Sequence, residues 1–117
     1  MSVTSSIKWV WDELGPGYSE AIYHKALEVA LRLNEIPYET ERIIPVSFQE
    51  HVVGNLRADI ILHDCIIELK SVRSLTEPNR DQIRTYMKLL GKDNGILVNF
   101  GSDLQIEEIT LSECIPI

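Results

Sequence analysis

Long apolar runs, a basic leader and a cysteine framework are all missing from this chain of 117 residues, and each absence removes a class of protein. Nothing approaches the roughly 20 consecutive apolar residues that span a bilayer, which excludes a membrane-spanning helix. The start, Met1-Ser2-Val3-Thr4-Ser5-Ser6, has no basic stretch followed by an apolar one, so the expectation is an unprocessed intracellular protein of the cytoplasm. Of the two cysteines, Cys65 lies inside an apolar run and Cys114 stands far from it. That spacing fits neither a disulfide scaffold nor a zinc site, and Cys65 reads as a small buried thiol. Repeats, low-complexity tracts and linkers are absent as well. So is a positive net charge: the total is −7, which argues against a protein whose task is simply to coat nucleic acid, because phosphate neutralisation dominates that kind of affinity.

What is present is an ordinary globular mixture, with 44% hydrophobic and 25% charged residues. The length suits one domain over residues 1–117 with one core. Charge is unevenly spread. Lys70, Arg73, Arg80, Arg84, Lys88 and Lys92 face only Glu77 and Asp81 in their segment, a local balance of +4 that leaves −11 on the remainder. Such asymmetry suggests one basic face on an acidic body, and a solvated helix face of mixed charge explains it equally well.

Ile7, Trp9, Val10, Trp11 and Leu14 fall at helical spacing after Ser5 and Ser6 as caps, and Gly15-Pro16-Gly17 stops the helix. A second helix is predicted from Tyr18 to about Glu35, with Ser19 as N-cap, Glu20 in the first turn and Ile22, Ala26, Val29, Ala30 and Leu33 as its apolar stripe. The pattern then turns extended. Ile43 to Phe48, Val52 to Leu62 and Cys65 to Val72 read as an antiparallel meander, with a turn at Gln49-Glu50-His51 and a bulge or kink at Gly54. A third helix is expected over about 77–91, capped by Thr76, carrying Pro78 in its first turn and ended by Gly91. Gly95 to Phe100 reads as a strand buried on both faces and Leu104 to Leu111 as a more alternating one. Trp9 and Trp11 read as local core; the alternative is a helix that docks on a partner or forms a homo-oligomer.

Chemistry concentrates on one hairpin. If His63-Asp64 is a two-residue turn, Ile60 faces Ile67, Asp59 faces Glu68, Ala58 faces Leu69 and Arg57 faces Lys70. Alternation then puts Ala58, Ile60, Leu62, Cys65, Ile67 and Leu69 on an apolar face, and Arg57, Asp59, Glu68 and Lys70 on the other. Opposed like charges destabilise a ladder, so Asp59 against Glu68 calls for positive charge, either Lys70 or a hard divalent cation such as Mg²⁺. An exposed salt-bridge cluster is the plain alternative.

Gly17-Tyr18-Ser19-Glu20-Ala21-Ile22-Tyr23, Arg57-Ala58-Asp59, Glu68-Leu69-Lys70 and Gln82-Ile83-Arg84-Thr85-Tyr86 together resemble the small GxxExxY proteins of the PD-(D/E)XK nuclease superfamily. Ala58 stands where the superfamily's name has proline. The resemblance spans Ile7 to Leu111 and implies an α/β (α+β), restriction-endonuclease-like core of α-β-β-β-α-β order, a mixed sheet flanked by helices. It also implies a Mg²⁺ (or Mn²⁺) centre acting on DNA: Asp59 and Glu68 as ligands, the Leu69 carbonyl as a third, Glu20 approaching from its helix and Lys70 placing the water. Gln82 and Tyr86 share a helix face. With Arg57 and the stripe Arg80, Arg84 and Lys88, they are the expected nucleic-acid contacts. A catalytically inactive module binding nucleic acid or a protein partner is the alternative.

Overall fold

A computed structural model describes residues 2–111; Cys114 lies outside them. Ser2, in extended conformation, accepts a hydrogen bond from the Ser5 N–H at 3.0 Å and so caps helix α1 (Val3–Leu14). The cap is therefore Ser2. Ser5 and Ser6 lie inside the helix, three and four residues after the backbone carbonyl of Ser2 that their hydroxyls reach. Gly15 ends α1 at φ 65° and Gly17 follows at φ 107°, conformations that only glycine adopts without strain.

Ser19 caps α2 (Glu20–Leu33), which is shorter than expected because Glu35 turns left-handed at φ 57°. Its buried face also differs from expectation. Tyr23, Leu27, Ala30 and Leu31 enter the core, whereas Ile22, Val29 and Leu33 are 46%, 43% and 66% exposed. Both stripes are apolar at helical spacing, and the one with the larger aromatic and leucine side chains is buried.

The strands are β1 (Glu39–Phe48), β2 (His51–Ile61), β3 (Cys65–Lys70), β4 (Asn94–Phe100) and β5 (Leu104–Thr110), with α3 (Glu77–Leu90) between β3 and β4. They form one five-stranded sheet in the order β1-β2-β3-β4-β5. The β3–β4 pair is parallel, joined through α3, and the others are antiparallel, so the sheet is mixed as expected. Gln49 and Glu50, both at positive φ, make the β1–β2 turn. The bulge falls beside Gly54: Val46 pairs with Gly54 and Ser47 with Val52, leaving Val53 as the extra residue.

The sheet separates two cores, where one was expected, because helices cover both of its faces. On one face α1 and α2 bring Ile7, Tyr23, Leu27 and Leu31 onto Ile60, Ile67, Leu69 and Phe100. On the other, α3 brings Ile83, Tyr86 and Met87 onto Ile61, Ile66 and Leu97. Ala58 packs with this second cluster rather than with Ile60, because alternation along β2 breaks at Asp59. Every residue of β3 from Cys65 to Leu69 is buried, and so is the segment Gly95–Phe100 of β4. Among the described residues, no helix is long and apolar enough to cross a membrane.

Candidate active site at the end of the central strand

The β2–β3 ladder holds the expected register at Ile60–Ile67 and Ile61–Ile66, closed by the Leu62 N–H donating to the Cys65 carbonyl at 2.8 Å. It then stops. Asp59 and Glu68 are not a ladder pair: the Asp59 N–H donates to Glu68 Oε1 at 3.1 Å, and the Leu69 N–H donates to Asp59 Oδ2 at 2.8 Å. Each acid thus takes the backbone amide that the parting strands leave without a rung, which satisfies the obligatory donors and holds the two carboxyl groups together.

The cost falls on Glu68. It is 3% exposed, and its carboxyl is pushed up to about 9 by burial first and the Asp59 charge second, with Lys70 pulling the other way. At neutral pH it therefore keeps its proton and shares a side-chain hydrogen bond with Asp59. Lys70, two residues on and on the same face, donates from Nζ to Gln82 Oε1 at 2.8 Å. Gln82 Nε2 in turn donates to the Tyr86 hydroxyl at 3.0 Å. Tyr86 is raised above the ordinary phenol value by burial and by the charge of Glu68. Two turns of α3 thereby close the site from one side.

Glu20 approaches from the first turn of α2. Its carboxyl is raised by partial burial and by Asp59, while Lys70 and His24 pull it down, so it lies within electrostatic reach of Asp59 and Lys70. The loop that aims it is fixed by Tyr23, fully buried, whose hydroxyl donates to the Gly15 carbonyl at 2.5 Å and accepts from the Tyr18 N–H at 3.3 Å. Tyr23 also stacks on Phe100, ring centroids 4.4 Å apart. Its role is packing and loop placement. A cleft of about 250 Å³ opens between Glu20, His24, Lys25, Glu41, Arg57 and Asp59.

The stripe on α3 is less basic than its sequence suggests. Arg80 grips Glu107 of β5 through two bonds of 2.7 and 2.8 Å and also meets Glu77; Arg84 meets Asp81 and Glu77. Lys88 is exposed. The face is one of mixed charge. Arg57 is exposed at the mouth of the cleft, away from α3.

Three sets of residues were not foreseen. His24, Glu28, Tyr38 and Thr40 form a polar cluster behind Asp59. Fully buried Asn99 clasps Val72, accepting from its N–H and donating to its carbonyl at 2.9 Å each. The Ser71 hydroxyl lies 3.1 Å from the Phe100 carbonyl and 3.2 Å from the Tyr18 carbonyl and donates its one proton to either, tying the exit of β3 to its neighbours. The only sequence signal for the first set was a His and a Glu at i and i+4 beside the core stripe.

Among the described residues no three His, Cys, Asp or Glu side chains gather closely enough to cage an ion. A hard divalent cation needs less: two carboxylates, a carbonyl and its own waters. The donor set here fits, because the clasp brings the carboxyl groups of Asp59 and Glu68 together at the strand end, beside the backbone of Leu69.

No curated protein matches the chain. Among solved structures it is similar to the crystal structure of SSO0001, with 27% identity and a TM-score of 0.63 over 78% of this chain. The chain spans 50% of that protein's length. A sequence model of the PD-(D/E)XK nuclease superfamily matches residues 1–110, and the chain belongs to that superfamily.

Proposed function

We propose that the protein is a divalent-metal-dependent nuclease hydrolysing DNA phosphodiester bonds, of the GxxExxY group within its superfamily. The observation that carries the reading is the clasp of Asp59 and Glu68 at the end of the central strand, each carboxyl accepting a backbone N–H from the other's strand, with Lys70 beside it. Asp59, Glu68 and the Leu69 carbonyl would hold Mg²⁺ or Mn²⁺, with Glu20 approaching from α2. Bound there, such an ion would polarise the scissile phosphate and acidify a water. The bond from the Leu69 N–H to Asp59 fixes the Glu68–Leu69 peptide, which directly precedes the carbonyl of the ligand set. Lys70, aimed by Gln82, would orient the attacking water, and Gln82 is itself aimed by Tyr86. Arg57 and Lys88, both exposed, would take flanking phosphates. Arg80 and Arg84 would join them by exchanging a carboxylate for a phosphate.

The test is incubation with Mg²⁺ or Mn²⁺ and single-stranded, duplex and branched DNA, with Lys70→Ala as control. Cleavage by wild type alone supports the reading. DNA left intact across a wide protein range sinks it in favour of the second reading, a binding module that has kept the fold. The ion pairs that already engage Arg80 and Arg84 leave fewer free cations for phosphate and favour a protein partner in that alternative, which requires nucleic-acid or protein binding unchanged by Lys70→Ala.

A further inference from the structure

His24 and Glu28 are 8% and 6% exposed, although ionisable side chains are seldom buried without a partner. Their partners form a chain with one direction. The Thr40 hydroxyl donates to the Asp59 backbone carbonyl at 3.1 Å. A hydroxyl has a single proton, so toward His24 Nε2, at 2.8 Å, Thr40 accepts, and Nε2 carries the hydrogen. The same Nε2 lies 3.2 Å from Glu28 Oε2. The other oxygen of Glu28 accepts from the Tyr38 hydroxyl at 3.2 Å, and Tyr38 accepts from Arg32. Carboxylate and hydroxyl both face one ring nitrogen, so the cluster cannot draw a proton off Thr40 and is no nucleophilic triad. Its product is a fixed position for the Asp59 peptide.

Asp59 needs that support because regular pairing fails on both its sides. Toward β3 its amide and carboxylate are taken up by the clasp. Toward β1 the register passes from Thr40–Ile60 to Arg42–Ala58 with no Glu41–Asp59 rung, and Glu41 sits at φ 54°. The Thr40 hydroxyl takes the carbonyl that this interruption leaves over.

We infer that His24 and Thr40 are positioning residues for Asp59, held in one tautomer by buried Glu28; this rests on the nuclease reading above. Thr40→Val keeps the shape and deletes the hydroxyl, whereas Thr40→Ser keeps the hydroxyl. Titrating Mn²⁺ into each variant by calorimetry should show Thr40→Val binding 10- to 100-fold more weakly, as roughly expected for loss of a residue that orients a ligand, and Thr40→Ser near wild type. Melting curves without metal establish that both are folded. On DNA, Thr40→Val should lose kcat and keep its KM. Folded Thr40→Val that binds Mn²⁺ like wild type overturns the inference and leaves the nuclease reading intact; wild type that takes up no Mn²⁺ overturns both. If Thr40→Val does not fold, His24→Gln against His24→Leu makes the same comparison. Gln can still donate to Thr40 and should retain Mn²⁺ affinity; equal affinities in that pair overturn the inference.

Discussion

Replacing Glu68 with glutamine imitates, in shape and hydrogen bonding, the protonated acid of the metal-free site. The amide oxygen still accepts from the Asp59 N–H, and the NH₂ group donates to the Asp59 carboxylate where the proton stood. Only the charge is lost. The folded-state value of Glu68, about 9, lies above the 4.5 of an unfolded chain. Its contribution to stability is thus fully present below about pH 4.5 and is lost as pH rises through about 9. Metal-free wild type should weaken as pH climbs through this window, and Glu68→Gln should not. One proton limits the slope to about 1.36 kcal/mol per pH unit, a ceiling of about 4 kcal/mol between pH 5 and pH 8. The hydrogen bond kept by the amide is not a perfect copy of the acid's, and we expect Glu68→Gln to be more stable by about 1 to 3 kcal/mol at pH 8, a rise of about 4 °C or more in Tm. Thermal unfolding in chelator at pH 5 and pH 8 measures the difference. A variant that is less stable than wild type at pH 8, or a gap that does not widen with pH, refutes the reasoning that ionising Glu68 is costly in the folded protein.

Four further outcomes follow from the packing and the site. Leu27→Ala, at a fully buried position, should cost about 2 to 5 kcal/mol, while Leu33→Ala on the exposed stripe should stay within about 0.5 kcal/mol; chemical denaturation separates them, and equal costs would reverse the assignment of α2's buried face. Tyr23→Phe loses both hydroxyl bonds to the Gly15–Tyr18 loop and should destabilise by about 1 to 2 kcal/mol in a denaturant series. Gly95→Ala would set its Cβ 2.7 Å from Met87 Sδ and 3.0 Å from Ile83 Cδ1, an overpacking worth about 1 to 3 kcal/mol by thermal melt. Gln49→Asn with Glu50→Gly relieves two positive-φ residues in the β1–β2 turn and should raise stability by about 0.5 to 1 kcal/mol.

Much of the architecture was legible because it depends on short-range rules. The His63-Asp64 turn fixed the β2–β3 register, and Thr76 with Gly91 bounded α3 within a residue. The site residues on β3 followed from alternation once that register was known. What escaped has physical causes. Helix α2 is apolar on two faces, so periodicity alone does not choose between Tyr23-Leu27-Leu31 and Ile22-Val29-Leu33; volume and the neighbouring sheet do. Alternation along β2 presumes an unbroken ladder, and the ladder breaks at Asp59, which moves Ala58 to the other core. The pairing of Asp59 and Glu68 was visible as opposition but not as a clasp, because side chains substituting for backbone rungs leave no mark in spacing. The Thr40–His24 contact joins residues 16 apart through the fold and carries no local pattern.

The central claim, that the acid pair is a metal centre kept protonated until an ion arrives, meets its most direct test in calorimetric titration of Mn²⁺ or Mg²⁺ at pH 7 in buffers of different ionisation enthalpy. Wild type should bind an ion with release of about one proton per ion, and Glu68→Gln should bind far more weakly with no such release. Uptake that releases no proton, or that survives Glu68→Gln unchanged, would contradict the account.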